Sequence, residues 1–256
     1  MELNRDYESA AIYKWRKKRK KAFVLFIFIV GICFLVTRMV RVEDKTTVKV
    51  HNMHTEQNEK AIRYVASNMI KEDPKIAITF DDGPSPAWTP QLLDGLKERN
   101  VKATFFLIGE NAENTPELVK RESEEGHLVG NHTYHHVEIT RVPDETAKEE
   151  ILMTNEVITG ITGEEVSYMR PPFGAWQKKL EWELDVMPVM WTIDPLDWTT
   201  NNEDEIVNKV VTQAKENDII LLHDCYESSV NAALRIVDIL QKEGFEFVTV
   251  DELIMN

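Results

Sequence analysis

The stretch AITFDDGPSP, residues 77–86, ends an apolar run in two adjacent carboxylates, Asp81 and Asp82, followed at once by Gly83 and Pro84. Neighbouring side chains on a strand point to opposite faces. A doublet at a strand end therefore suits either a solvated turn or a site that needs two acids for two tasks. Four further stretches carry groups able to do chemistry. GNHTYHH puts His132 and His136 four apart, a spacing that sets both imidazoles on one side of a helical turn and turns His135 away from them. Two histidines and a carboxylate form a ligand set for a catalytic Zn²⁺ with one position open to water, although HxxxH alone also arises in ordinary polar loops. MRPPFG (169–174) sets Arg170 at a strand end before a stiff turn. TIDPLDW (192–198) supplies Asp194, Asp197 and Trp198, and IILLHD (219–224) ends a buried strand in His223 with Leu221 on the same strand face. Each has a plain structural reading too: Arg170 as a surface salt bridge, Trp198 as core, His223 as a hydrogen-bonded strand end.

These groups need elements to position them, and from Lys75 the chain shows a rhythm that supplies them. Short apolar runs at 75–80, 102–109, 127–131, 166–170, 186–194, 218–224 and 245–250 alternate with amphipathic stretches such as TPQLLDGLKERN, TPELVKRESEEG, DETAKEEILMTNEVITGITG, EDEIVNKVVTQAKEN and SSVNAALRIVDILQKEG. Several of these begin at a capping residue or Pro and end at Gly or Asn. Strands alternating with helices predict an α/β fold with parallel pairing. Seven strands suit a closed or nearly closed β/α barrel, and an open doubly wound sheet has the same local signature. In barrels, chemistry collects where strands end and βα loops begin. Asp81, Asp82, His132, Arg170, Asp194 and His223 all stand at such ends.

The ends of the chain differ from its body. Of the formal charge of −14, the first 21 residues account for eight Lys/Arg against three acids, so the rest is strongly acidic. So acidic a body excludes nucleic acid, whose phosphates demand a basic face. Directly after the basic tail (1–21) comes FVLFIFIVGICFLV, and residues 22–40 approach the length a bilayer needs, with Arg38 snorkelling. No small-residue cleavage site follows, so a retained signal-anchor is expected in place of a cleaved signal peptide. The basic flank then stays in the cytoplasm and everything from about residue 41 lies outside. Residues 41–73 read as a polar extracellular stem, with His51 and His54 as ordinary solvated residues. Cys33 in the span and Cys225 in the outer domain make no expected intrachain disulfide.

Taken in order, TFDDGP, HTYHH, RPPFG, DPLDW and LLHD resemble the five motifs of the polysaccharide deacetylase family, the NodB-homology domain of carbohydrate esterase family four. The resemblance covers roughly residues 74–254. It implies a distorted barrel of about seven parallel strands and a divalent-metal hydrolase that removes acetyl groups from sugars. By position, Asp82, His132 and His136 would hold the metal, and Asp81 would be the base, held by the opposite charge of Arg170. The backbone N–H of Phe173 would help stabilise the oxyanion, His223 would protonate the leaving amine, and Asp197 would orient His223. Trp198 and Leu221 would line a pocket for the acetyl methyl, with scaffold packing the other role open to Trp198. Phe173 stands where Tyr is frequent in the family.

The resulting expectation is a single-pass membrane protein with a catalytic domain, residues 74–256, outside the cell. It would remove N-acetyl groups from cell-envelope glycan, foremost the N-acetylglucosamine of peptidoglycan. The metal would be Zn²⁺, with Co²⁺, Mn²⁺ or Fe²⁺ able to share the ligands, and no protein partner is called for. The alternatives are an O-acetyl esterase acting on xylan or O-acetylated wall sugars, and a non-catalytic glycan-binding domain.

Overall fold

The computed structural model of the protein describes residues 73–182 and 184–255. The basic tail, the expected anchor and the stem up to residue 72 lie outside the described residues. Among the described residues no helix is long and apolar enough to cross a membrane.

Strand β1 (Lys75–Asp81) is buried along nearly its whole length because it is covered on both faces. Ile76, Ile78 and Phe80 point into the larger core with Leu92, Leu93 and Leu96 of helix α1 (Thr89–Glu98). By the period of two, Ala77, Thr79 and Asp81 face the other way. That inner face holds a second apolar cluster of Ala77, Phe106, Val189, Val248, Val250 and Leu253. Sequence alternation has therefore sorted β1 into an apolar outer row and an inner row that ends in a carboxylate.

Around β1 run β2 (Thr104–Leu107), helices α2 (Gly109–Asn114) and α3 (Pro116–Glu124), β3 (Leu128–Asn131), α4 (Asp144–Thr162), β4 (Tyr168–Met169), β5 (Met187–Pro188), α5 (Glu203–Val211), β6 (Ile219–His223), α6 (Glu227–Lys242), β7 (Glu246–Phe247) and α7 (Val250–Met255). The order is β5-β4-β3-β2-β1-β6, and β7 pairs with Lys75 and Ile76 at the start of β1. Every pairing is parallel. An open doubly wound sheet keeps its edges apart. Here the chain leaving β5 at one edge reaches β6 at the other: Thr192 N donates to Ile219 O (2.9 Å) and Leu221 N donates to Ile193 O (2.9 Å). The sheet is thereby curled into a half-barrel.

All seven expected strands are present, three of them shortened to two residues. The apolar run 245–250 gives only Glu246–Phe247 as strand, and Val250 opens α7 instead. The cause is a capping arrangement: Thr249 N donates to Glu252 Oε2 (3.2 Å), which satisfies a backbone donor at the helix start as one half of a capping box, and Thr249 Oγ1 donates to Asp251 Oδ1 (2.5 Å). Likewise, the run 102–109 ends as strand at Leu107, and Gly109 begins α2.

His127, just before β3, is buried. Its Nδ1 accepts from Ala103 N (3.1 Å), and burial, with Lys102 nearby, lowers its pKa to about 4. The folded state keeps this imidazole neutral while the unfolded chain protonates it below about pH 6.5, so its contribution is complete above that pH and is lost as pH falls through about 4. The loss amounts to about 3 kcal/mol. Urea unfolding should show this decline between pH 6.5 and 4, and the His127→Phe variant's own curve should lack it.

Candidate active site

Asp81 is the last residue of β1 and lies on the inner face. Strict alternation would send Asp82 to the opposite side, but its φ of +72° swings the chain out of the strand. Asn111 Nδ2 holds the turned backbone by donating to the Asp82 carbonyl (2.8 Å). Both carboxylates then reach one place: His132 Nε2 lies 3.8 Å from Asp81 Oδ2 and 3.4 Å from Asp82 Oδ1.

His136 Nε2 also lies 3.4 Å from Asp82 Oδ1, and the ligand atoms of Asp82, His132 and His136 all fall within 4.8 Å of one another. The pairing of the two histidines matches expectation, but the helical turn invoked for it is wrong. Residues 132–136 form an irregular loop with Thr133 at φ +63° and His136 at φ +56°. His135 faces away because its Nδ1 bonds Glu150 Oε1 (2.8 Å), not because of helical phase.

The donor chemistry fits a divalent ion. His132 Nδ1 sits 2.6 Å from the Arg170 carbonyl, which can only accept, so Nδ1 carries the proton and the Nε2 lone pair faces Asp82. Asp82 Oδ1 is buried with no hydrogen-bond partner. Burial alone would raise the Asp82 pKa, but the surrounding His132, His223 and His136 side chains bring it below the usual value. His136 is pushed down, first by burial and then by His132, which favours its neutral, ligating form.

Arg170 is no surface residue: it is 0% exposed. Its Nη1 donates to Asp81 Oδ1 and to Thr79 Oγ1, both at 2.7 Å, while Nε and Nη2 donate to the carbonyls of Val189 (3.2 Å) and Met190 (3.3 Å). Burial lowers its pKa, against the charge of Asp81. The guanidinium also stacks over Phe106, 4.3 Å from the ring centroid. Asp81 is thus fixed by one oxygen while the other faces the histidines.

Opposite them, the Asp197 carboxylate grips His223 twice, accepting from its backbone N (2.8 Å) and pairing with its Nδ1 (2.8 Å). Nε2 faces the site, 3.9 Å from Asp82 Oδ2. Burial lowers the His223 pKa, but Asp197, Asp81 and Asp82 outweigh it and raise it to about 9. This is the donor form of an acid held ready at neutral pH.

The remaining expected residues differ in exposure. Phe173 has φ +60°, is 68% exposed, and lies with its ring 4.8 Å from that of His136. Trp198 is 56% exposed, so it is not core packing, whereas Leu221 is buried two residues before His223 on β6. Asp194 does not join the site; its Oδ1 accepts from Leu196 N (2.8 Å) in a local turn.

Two supporting acids escaped the sequence reading. Glu150 holds the histidine loop from α4. Asp224 is buried behind the Gly83 turn, bonds Thr89 Oγ1, and is raised to about 7 by burial. No motif spacing flags Glu150; Asp224 was visible only as the last letter of LLHD.

With this geometry, the comparisons with known proteins are consistent. The family model described as polysaccharide deacetylase matches residues 68–189. The chain belongs to the polysaccharide deacetylase family. Among its relatives, a peptidoglycan-N-acetylglucosamine deacetylase of Listeria monocytogenes, PgdA, is 38% identical over 216 residues, covering 82% of this chain and 46% of the relative. The chain thus spans about half the length of that relative. A peptidoglycan-N-acetylglucosamine deacetylase of Bacillus cereus is 39% identical over 186 residues, covering 70% of this chain and 68% of the relative. The solved structure of the peptidoglycan deacetylase PdaC from Bacillus subtilis superposes with a TM-score of 0.70 at 38% identity, covering 71% of this chain and 90% of that one. PdaC is described as a peptidoglycan-N-acetylmuramic acid deacetylase.

The turn after the doublet yields a stability test. A Cβ at Gly83 would lie 2.4 Å from Asp224 Oδ1, so Gly83→Ala should cost about 1–3 kcal/mol of unfolding free energy. In a double-mutant cycle, adding Gly83→Ala to Asp224→Ala should cost much less than adding it to the wild type.

Proposed function

We propose that this domain is a metal-dependent hydrolase that removes N-acetyl groups from cell-envelope polysaccharide, foremost the N-acetylglucosamine of peptidoglycan. The observation that carries the reading is the division of the aspartate doublet: Asp82 faces two imidazoles with an oxygen that has no hydrogen-bond partner, while Asp81 is held by Arg170 through one oxygen and turns the other toward the site. Asp82, His132 and His136 would hold the ion, Zn²⁺ in the first place. When bound, such an ion makes water acidic near neutral pH and polarises a carbonyl.

The chain's own groups do the rest. Asp81 takes the proton from the attacking water through the oxygen that Arg170 leaves free. The Phe173 N–H supports the developing oxyanion beside His136. His223, oriented by Asp197, delivers a proton from Nε2 to the departing amine. Leu221 and Trp198 give the acetyl methyl an apolar wall. The names of the relatives support peptidoglycan as the polymer, and they include both glucosamine-type and muramic-type substrates. The basic, then apolar, N-terminal sequence supports anchoring in the cell membrane with the domain outside.

Acetate release from acetylated chito-oligomers, peptidoglycan and acetylated xylan tests the substrate class; release from xylan alone would overturn the N-deacetylase reading. Asp82→Ala is expected to lose metal, and Asp81→Asn to keep metal while turnover falls by about 10²–10⁴; equal metal loss in both, read by elemental analysis, would refute the split. His223→Ala should slow amide cleavage far more than cleavage of an activated acetyl ester, whose leaving group needs no proton. Equal losses on the two substrates would remove His223 from the acid role.

A further inference from the structure

The loop that carries both histidines has an unusual backbone, held by hydrogen bonds along its middle. His132 N donates to Leu107 O (2.8 Å), Thr133 N to Asn131 Oδ1 (2.7 Å) and Val137 N to Thr133 Oγ1 (3.2 Å). The carbonyls of Thr133 and Tyr134 accept from Gly109 N (2.9 Å) and Glu110 N (3.0 Å) at the start of α2. The N–H groups of Tyr134 and His135 both donate to one atom, Glu150 Oε2, at 3.0 and 2.8 Å. The other oxygen, Oε1, binds His135 Nδ1 at 2.8 Å. Glu150 is buried and lies in the second turn of α4.

We infer that Glu150 is the positioning residue of the ligand loop, fixing the backbone between His132 and His136 so that both imidazoles face Asp82. This rests on the reading of those three residues as metal ligands. Thr133 and His136 sit on either side of the Glu150-bound pair with φ of +63° and +56°. Side-chain-bearing residues rarely occupy that region unless their surroundings over-determine it. Gly109 closes the opposite side, since a Cβ there would lie 2.6 Å from the Tyr134 ring. The loop is therefore pressed between α2 and one carboxylate from α4. Without that carboxylate, the part-buried N–H donors of Tyr134 and His135 lose their acceptor, and the left-handed residues lose what holds them. His135, excluded from the ligand set, becomes the third leg of the clamp.

Zinc affinity of the full chain, measured by competition with a chromophoric chelator, tests this directly. Glu150→Ala should weaken zinc binding about 10–100-fold, the range for a lost outer-shell support. Glu150→Gln keeps an oxygen for both N–H groups and should recover most of the affinity, a rescue that a purely structural role in α4 would not produce. Glu150→Asp keeps the charge on a shorter arm and should also weaken zinc, giving a second reading if the alanine variant fails to fold. Wild-type zinc affinity in folded Glu150→Ala or Glu150→Asp overturns the proposal. A wild-type chain that binds no divalent ion would instead overturn the metal-site reading beneath it.

Discussion

A buried guanidinium governs this domain. Arg170 has no exposure, and a charge so placed is tolerated only when paired and hydrogen-bonded throughout. Asp81 provides the ion pair, and Thr79, Val189 and Met190 take the remaining directions. Those partners come from β1 and from the chain just beyond β5, so one side chain braces the inside of the curled sheet. The same residue acts through its backbone as well. Its carbonyl accepts from His132 Nδ1, which fixes the ring and its tautomer. The proposed base and one proposed metal ligand are thus oriented by two ends of a single residue.

That arrangement separates the ionisable groups by environment. Asp82 is brought low by the surrounding imidazoles, His136 is pushed down by burial, and His223 is raised by Asp197. Groups pushed in opposite directions within a few ångströms are the usual signature of an acid and a base assigned to different tasks. Asp224, raised to about 7, adds a carboxyl of high pKa immediately behind them, near Asp82 yet outside its first ring of contacts.

Much of this was legible in the chain. Short apolar runs located β1 and β6, and the five ordered motifs pointed to Asp81, Asp82, His132, His136, Arg170, Asp197 and His223, which the structure gathers. What failed to show was anything set by backbone twist or by distant packing. The HxxxH spacing found the right histidines through a helical turn that does not exist; left-handed residues and Glu150 from α4 do that work instead. Arg170 read equally well as a surface ion pair, because burial of a charge depends on which strands surround it. Thr249-Val-Asp-Glu252 is a capping signature that the apolar run before it concealed. Alternation likewise argued against Asp81 and Asp82 sharing one face, and only the φ of Asp82 reconciles them.

The stretch from Met187 to Ile193 leaves one margin of the sheet and is bonded to the other. Along the way, its carbonyls at Val189 and Met190 grip the guanidinium. Folding topology and reaction chemistry consequently share a single tether. New chain termini opened there by circular permutation would release the seam and unseat the arginine together.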